Sequence, residues 1–316
     1  MQSSQFRLVT RSDFDGLVCG MLLRELDLID EVKFVHPKDM QDGIVPITGR
    51  DIVTNLPYVP GCHLAFDHHA SEVLRADGHN TAQHVINADA PSAARVVYEY
   101  YGGAPSFPRI QPALMQAVDK ADSARFARDE ILDPQGWVLM NFLMDSRTGL
   151  GRFRHFRISN YELMMKLIEE CRDRSVEDVL ALEDVRERVE LYNAHRDAFV
   201  AQLHRCTTVH GTLALFDLRD EEVIYAGNRF MIYALFPECD ISAHLMWGVR
   251  KENTVFAIGK SILDRGSPVN VGAVCLRYGG GGHEAAGTCQ VPNSHAEQIK
   301  QELIPILSPT RVLNAA

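Results

Sequence analysis

The sequence predicts an α/β fold: an N-terminal domain with a mostly parallel sheet flanked by helices, a helical connector, and a smaller C-terminal α/β domain. Short apolar strands alternate with helical patterns through the first third of the chain. A helix-rich middle section then gives way to a second group of strands. The chain has 316 residues, which is more than one hydrophobic core usually serves, so we expect two domains.

The N-terminal third supplies the parallel sheet of this prediction. Its strands are expected at residues 6–10, 32–35, 51–54 and 63–66, with helices at residues 17–28, 91–101 and 112–120. Pro91 suits the first turn of the second of these helices. Because the strands are separated by helices, parallel pairing with both faces of the sheet covered is the favoured arrangement.

The rest of the chain predicts helices first and strands later. Helical periodicity covers residues 161–171 and 183–204, followed by strands at 213–216, 241–247 and 254–258 and flanking helices at 229–236 and 295–307. These patterns place the N-terminal domain at residues 1–135, the helical connector at 136–206 and the C-terminal domain at 207–316.

Composition and charge exclude several classes of protein. The net charge of −10 argues against a surface that coats duplex nucleic acid. The seven cysteines are scattered and form no C-x-x-C pair, which favours free thiols in a reducing compartment. The sequence has no signal-peptide pattern, and no apolar run approaches the roughly 18 residues of a membrane span. We therefore expect a cytoplasmic protein without a membrane anchor.

Acidic and imidazole residues follow two of the predicted strands. Asp13 and Asp15 come after the strand at residues 6–10, and Asp67, His68 and His69 come directly after the strand at 63–66. Ligands of parallel sheets bind beyond the carboxyl ends of the strands, so these side chains are expected to meet.

A further carboxylate, Asp122, follows the helix at residues 112–120. Carboxylate and imidazole ligands without thiolates suit Mn²⁺ or Mg²⁺ better than a structural zinc ion. We expect Asp67 to orient a histidine ring, and His69 to donate a hydrogen bond to a phosphoryl oxygen.

A run of four glycines at residues 279–282 ends in His283. Glycine leaves backbone N–H groups unshielded and permits positive φ, so such a run can form a concave anion site. We predict a substrate-binding loop that contains Gly280, Gly281, Gly282 and His283. Among the basic residues nearby in sequence, Arg250 and Lys260 are the candidates for phosphate contacts.

These motifs resemble those of the DHH phosphoesterase superfamily, and the glycine-rich stretch resembles its DHHA1 domain. The closest likeness is to bacterial exopolyphosphatase-related proteins. The ordered set D-x-D-G, D-H-H and G-G-G-G-H-x-A-A-G carries the resemblance, which spans most of the chain. It implies a DHH catalytic domain at residues 1–135 and a DHHA1 substrate-binding domain at 207–316.

The resemblance also implies a set of metal ligands. Asp13 and Asp15 match the first motif, His68 lies in the third, and Asp122 matches the fourth, with Asp119 as an alternative.

The sequence departs from the family pattern at two ligand positions. Arg11 stands where the first motif has histidine, and Asn55 stands where the second motif has an aspartate that bridges two metals. We expect one metal ion to be retained, with Asn55 adding a neutral oxygen, and the second to be weak or absent. Arg11 is expected to contact the phosphoryl group in place of a cation.

The predicted function is metal-dependent hydrolysis of phosphoanhydride or phosphodiester bonds, in the manner of an exopolyphosphatase. One alternative is a phosphodiesterase of short oligonucleotides or cyclic dinucleotides. Another is a non-catalytic phospho-ligand-binding protein with an impaired metal site. The expected partner is a phosphorylated small molecule, polyphosphate or a short oligonucleotide, and neither a membrane nor bulk duplex nucleic acid. The sequence leaves a homodimer open.

Overall fold

A computed structural model describes residues 5–69, 72 and 82–309. The chain forms two compact units. Unit 1 comprises Met1–Arg125 and Pro134–Tyr192, and unit 2 comprises Phe126–Asp133 and Asn193–Ala316. The section that we predicted as a separate connector, residues 136–206, is therefore divided between the two units.

Unit 1 contains a sheet whose five described strands are all parallel. They are β1 (Phe6–Thr10), β2 (Ile29–Phe34), β3 (Asp51–Thr54), β4 (Leu64–Asp67) and β5 (His84–Ile86), in the spatial order β2-β1-β3-β4-β5. The central strands are apolar and almost wholly buried, as expected for a sheet covered on both faces. The predicted fold class is thus confirmed.

Helices alternate with these strands and continue into unit 2. The described helices are α1 (Phe14–Glu25), α2 (Pro37–Gln41), α3 (Ala93–Tyr100), α4 (Pro112–Asp122), α5 (Arg128–Leu132), α6 (Gly136–Met144), α7 (Asn160–Asp173), α8 (Val176–Ala181), α9 (Glu183–Cys206), α10 (Met231–Leu235), α11 (Val271–Arg277) and α12 (Asn293–Leu307). Across the ranges that the structure describes, none of the helices has both the length and the apolar character to cross a bilayer.

The register of β1 and β3 aligns the ends of these strands. Thr10 lies opposite Thr54, and their hydroxyl oxygens are 2.7 Å apart in a buried hydrogen bond. The Thr10 hydroxyl also donates to the carbonyl oxygen of Thr54 at 3.1 Å. The segments that leave β1 and β3 are therefore fixed next to each other at the carboxyl edge of the sheet.

Unit 2 contains a mixed sheet. Its described strands are β6 (Thr207–His210), β7 (Leu213–Asp217), β8 (Ile241–Trp247), β9 (Asn253–Lys260), β10 (Gly281–His283) and β11 (Ala286–Pro292), in the order β10-β11-β9-β8-β7-β6. The β7–β8 pair is parallel, and the other pairs are antiparallel. A core that includes Leu245, Phe256, Cys275 and Leu303 joins this sheet to α11 and α12.

The glycine run, which we predicted as a substrate-binding loop, lies partly in a strand that pairs with its neighbour, and its role in binding stays a prediction. Strand β10 pairs with β11, so that Gly281 lies opposite Thr288 and His283 opposite Ala286. A Cβ atom at Gly280 would lie 2.6 Å from the Cα atom of Cys289 and closer still to the carbonyl oxygen of Thr288. Close approach of two backbones therefore explains glycine here.

This packing predicts different effects for two neighbouring substitutions. Gly280→Ala should destabilise unit 2 by about 1–3 kcal/mol, because the new methyl group meets backbone that cannot rotate away. Gly281→Ala is the matched control, since a Cβ atom there has no atom within 4 Å. Urea unfolding of both variants measures the difference. Equal stabilities would contradict the packing described for this hairpin.

Candidate active site

Three side chains from separate segments of unit 1 converge beyond the carboxyl edge of its sheet. Asp15 lies in the first turn of α1, His68 follows β4, and Asp122 ends α4. One ligand atom from each lies within 4.8 Å of the others, a spacing that can hold a metal ion. The structure thus brings together three of the five residues proposed from sequence as metal ligands.

Asp15 is held in place by the N-terminus of α3. Its two carboxylate oxygens accept hydrogen bonds from the backbone N–H groups of Ala93 and Ala94, at 3.0 and 2.8 Å. Ser92 caps the same helix by accepting from the backbone of Arg95. The amide dipoles at a helix N-terminus stabilise negative charge, so this buried carboxylate is oriented before any cation binds.

His68 has a ring orientation that suits a ligand. Its Nδ1 atom lies 3.2 Å from the carbonyl oxygen of Ala90, which accepts a hydrogen from that nitrogen. In the neutral ring, this arrangement leaves the lone pair on Nε2. Nε2 lies 2.7 Å from Oδ2 of Asp122, so the imidazole nitrogen and the carboxylate point to the same place.

Asp67 organises the turn that follows β4. Its Oδ1 atom accepts hydrogen bonds from the backbone N–H groups of His68 and His69, at 2.7 and 3.2 Å. The same oxygen lies 2.6 Å from Nδ1 of His69. The side chain of Asp67 is buried, whereas that of His69 is 38% exposed. The histidine ring that Asp67 contacts is therefore the ring of His69.

Asp13 is occupied by donors from the chain itself. Its Oδ1 atom accepts hydrogen bonds from the backbone of Gly16 at 3.0 Å and from Nδ2 of Asn55 at 3.1 Å. Its Oδ2 atom lies 3.0 Å from Nε of Arg11. Asn55 has a φ of 54°, a left-handed conformation that asparagine tolerates well. The two residues that depart from the family pattern therefore both contact the same carboxylate.

Asp119 lies outside this cluster, although it is three residues from Asp122 on α4. Its carboxylate accepts hydrogen bonds from the hydroxyl of Ser92 at 2.8 Å and from Nε of Arg95 at 3.0 Å. These contacts fix the N-terminal turn of α3. Among the described residues, Asp122 rather than Asp119 has a ligand atom close to those of Asp15 and His68.

The carboxylates of Asp15 and Asp122 lie close together next to His68, and their charges shift the pKa values of all three groups. Burial raises the pKa of Asp15 above its usual value, and the nearby charge of Asp122 raises it further. Burial would lower the pKa of His68, but its contacts with Asp122 and the charge of Asp15 outweigh burial and raise it. Burial would raise the pKa of Asp122, but His68 holds it below its usual value. The site therefore stabilises additional positive charge.

Two buried oxygens at this site, Oδ1 of Asn55 and Oδ2 of Asp67, have no hydrogen-bond partner within the described part of the chain. The buried Nε2 atom of His68 contacts the carboxylate of Asp122. Buried polar atoms without partners are costly, and an amide oxygen, a carboxylate oxygen and an imidazole nitrogen are all donors that a divalent cation accepts. The donor set therefore fits a bound divalent cation.

The predicted substrate-binding residues of unit 2 are only partly brought together. Lys260 ends β9, and its Nζ atom lies 3.1 Å from Oε1 of Glu284, next to His283. Arg250 lies in the turn between β8 and β9, at the other end of β9. Seven residue steps along that strand correspond to roughly 23 Å. The structure therefore places Arg250 away from Lys260 and His283, and a phosphate contact by Arg250 stays a prediction.

Sequence reasoning missed Arg147, which lies in the short 3₁₀ turn Ser146–Thr148 after α6. Burial would lower the pKa of its guanidinium, but Asp145, followed by Asp13 and Asp122, outweighs burial and raises it. Arg147 therefore lies within electrostatic range of the carboxylate cluster. A polar run from residue 145 to residue 148 that ends at Gly149 breaks the apolar pattern of α6, and this was the available signal.

A solved structure with high sequence identity to this chain is found among known proteins. The chain matches no family model, and no curated protein matches it. It is 58% identical to the solved structure of PggH, a pGpG-specific phosphodiesterase from Vibrio cholerae. That match covers 95% of this chain and 98% of the other, with a TM-score of 0.82.

A second solved structure, CDC45 from Entamoeba histolytica, is similar in fold. It is 8% identical, the match covers 96% of this chain and 95% of the other, and the TM-score is 0.53. This likeness supports the fold alone. The identity to PggH over nearly the whole length of both chains is sufficient to assign the family. The chain belongs to the DHH phosphoesterase superfamily, whose members are metal-dependent, and is a phosphoesterase of the DHH type.

Proposed function

We propose that this protein hydrolyses the phosphodiester bond of short linear dinucleotides such as pGpG, with one bound divalent cation. The observation that carries the proposal is the 58% identity to a pGpG-specific phosphodiesterase over 95% of the chain. It favours the phosphodiesterase alternative over the exopolyphosphatase-like function that we expected from the sequence.

Asp15, His68 and Asp122 are the proposed residues that hold the cation, since their ligand atoms lie within 4.8 Å of one another. The unpartnered Oδ1 atom of Asn55 adds a neutral oxygen. This set of oxygen and nitrogen donors suits Mn²⁺ or Mg²⁺. When bound, the ion would act as a Lewis acid, lower the pKa of water and balance charge on the phosphoryl oxygens.

Arg11 is proposed to replace the second cation of the family pattern. Its Nε atom contacts Asp13, and its two terminal nitrogens make no hydrogen bond with the described residues. A guanidinium held by one edge keeps a fork of N–H donors for a phosphoryl group. In this proposal Asp13 orients Arg11 and is not itself a ligand, which revises the assignment made from the sequence.

His69 is the second proposed contact to the reacting phosphate. Its Nδ1 atom donates to Asp67, which fixes the ring, while its Nε2 atom has no hydrogen-bond partner among the described residues. When the ring carries both protons, Nε2–H donates to a phosphoryl oxygen and stabilises the charge that develops there.

A comparison of substrates tests the proposed function. With Mn²⁺ present, the protein should hydrolyse pGpG to mononucleotides, and its kcat/KM for pGpG should exceed that for polyphosphate, pyrophosphate and a cyclic dinucleotide by about tenfold or more. Product release measured by chromatography supplies the rates. A preference for polyphosphate would overturn the proposal, as would binding of pGpG without hydrolysis.

Removal of a proposed ligand should reduce both metal binding and activity. His68→Ala or Asp122→Ala should lower the affinity for Mn²⁺ and reduce kcat by about a hundredfold or more, because the site loses one of its three closest ligand atoms. Calorimetric titration with Mn²⁺ measures the first effect without relying on turnover. Asp119→Asn is the control on the same helix and should keep the wild-type Mn²⁺ affinity. Unchanged Mn²⁺ binding in Asp122→Ala would contradict the ligand assignment.

Restoring the family residues should create a second metal position. The wild-type protein is expected to bind about one Mn²⁺ ion per chain, and the double variant Arg11→His, Asn55→Asp about two, because a cationic and a neutral side chain become ligands beside Asp13. Mn²⁺ titration followed by elemental analysis gives the stoichiometry. If the double variant still binds one ion, residues 11 and 55 do not account for the single site.

A further inference from the structure

Unit 1 contains a short segment in which arginines are left without acidic partners. Most other arginines of this unit are paired, for example Arg7 with Asp51 and Arg109 with Asp173. By contrast, Arg152 and Arg154 form no ion pair or hydrogen bond through their side chains with the described residues. These two exposed arginines form a local positive patch in a chain of net charge −10, and such a patch attracts anions.

Arg147 belongs to the same segment, and its orientation is fixed by one carboxylate oxygen. Oδ1 of Asp145 accepts hydrogen bonds from the backbone N–H of Arg147 at 2.9 Å and from its Nε atom at 2.7 Å. The two terminal nitrogens of the guanidinium make no hydrogen bond within the described residues, and the side chain is 48% exposed. This geometry presents the bidentate edge that binds phosphate oxygens.

The segment also has a compact backbone. Gly149 adopts a φ of 87°, which allows the chain to turn between the two 3₁₀ turns Ser146–Thr148 and Leu150–Arg152. The guanidinium of Arg152 packs directly over Gly149, where a Cβ atom would collide with it. Arg147 and Arg152 are therefore held close to the same turn and do not extend freely into solvent.

The location of Arg147 relates this segment to the active site. Arg147 follows α6, whose Trp137 ring stacks on Phe14, the residue between Asp13 and Asp15, with the ring centroids 5.7 Å apart. The guanidinium of Arg147 is within electrostatic range of Asp13 and Asp122 but makes no hydrogen bond or ion pair with either. Arg11, which contacts Asp13 directly, is closer to the proposed reacting phosphate. Arg147 is thus placed to meet a second anionic group of a substrate whose first phosphate lies at the cation site.

We propose that the arginine segment, residues 145–154, binds the terminal 5′-phosphate of the dinucleotide, with Arg147 as the principal contact. This inference rests on the proposed function and adds a specificity-determining residue to it. A phosphate monoester carries close to two negative charges and three acceptor oxygens, which matches a fork of free N–H donors supported by Arg152 and Arg154. An unphosphorylated dinucleotide has no group to occupy the segment.

Equilibrium binding separates this proposal from turnover. The affinities of EDTA-treated protein for pGpG and for GpG, which lacks the terminal phosphate, are measured by calorimetry. Wild-type protein should bind pGpG about tenfold or more tightly than GpG. Arg147→Ala should lose most of that difference while binding GpG as the wild type does. Arg147→Lys, which keeps the charge but not the fork, should retain part of it.

Arg174→Ala is the matched control, because Arg174 is 46% exposed, lies in the same unit and pairs with Glu170. It should keep the wild-type preference for pGpG, and thermal melting of each variant checks that it is folded. An Arg147→Ala variant that keeps the preference, or that loses equal affinity for both ligands, would overturn the proposal, as would wild-type protein that binds the two ligands equally. Hydrolysis of pGpG by the wild type, assayed separately, decides the proposed function independently of these outcomes.

Discussion

Repulsion among three closely placed carboxylates, one buried and two partly buried, at one edge of a parallel sheet is the constraint on which the active site depends. Asp13, Asp15 and Asp122 lie within electrostatic range of one another. Each is compensated differently: Asp13 by Arg11 and Asn55, Asp15 by the amides of α3, and Asp122 by His68. Burial of so much negative charge is tolerated only with such donors or with a bound cation.

This compensation is unequal, and the inequality explains why one cation is expected. Asp13 has contacts to three donors from the chain, which leaves little of its coordinating capacity for a metal. Around Asp15, His68 and Asp122 the situation is different, since the ligand atoms of these three residues lie within 4.8 Å of one another and the buried Oδ1 atom of Asn55 has no hydrogen-bond partner among the described residues. The guanidinium of Arg11, held by Asp13, provides a positive charge at a fixed position, whereas a second metal ion could exchange with solvent.

Much of the N-terminal fold follows from the sequence, for physical reasons that particular elements show. The strands Phe6–Thr10 and Asp51–Thr54 were predicted with the bounds that the structure shows. A short apolar run that ends at polar turn residues is too short for a helix, so a strand is the favoured prediction. The strands β5, β10 and β11 were missed, because β5 has only three residues and the other two contain glycines that read as a loop.

The candidate site was predictable to a similar degree. Asp15 and His68 were identified because the ends of parallel strands converge, whereas Asp122, at the end of a helix, was identified from the resemblance to the fourth family motif. Asp119 remained an alternative, since residues three apart on a helix share a face, and the two are separated by the contacts of Asp119 with Ser92 and Arg95 and of Asp122 with His68. Arg147 was missed, because the polar run at residues 145–148 indicates only the end of a helix, and the nearness of this arginine to Asp13 and Asp122 arises in the fold. The proposed substrate class required the comparison with PggH, since charge and residue spacing indicate a phosphate site but do not identify the bases attached to the phosphate.

The most direct test of the single-cation site is a crystal soaked in Mn²⁺ and examined by anomalous scattering from manganese. The account predicts one strong peak, bounded by Asp15, His68 and Asp122, with the guanidinium of Arg11 still against Asp13. A site without manganese would contradict it, and so would a second peak of equal height coordinated by Asp13.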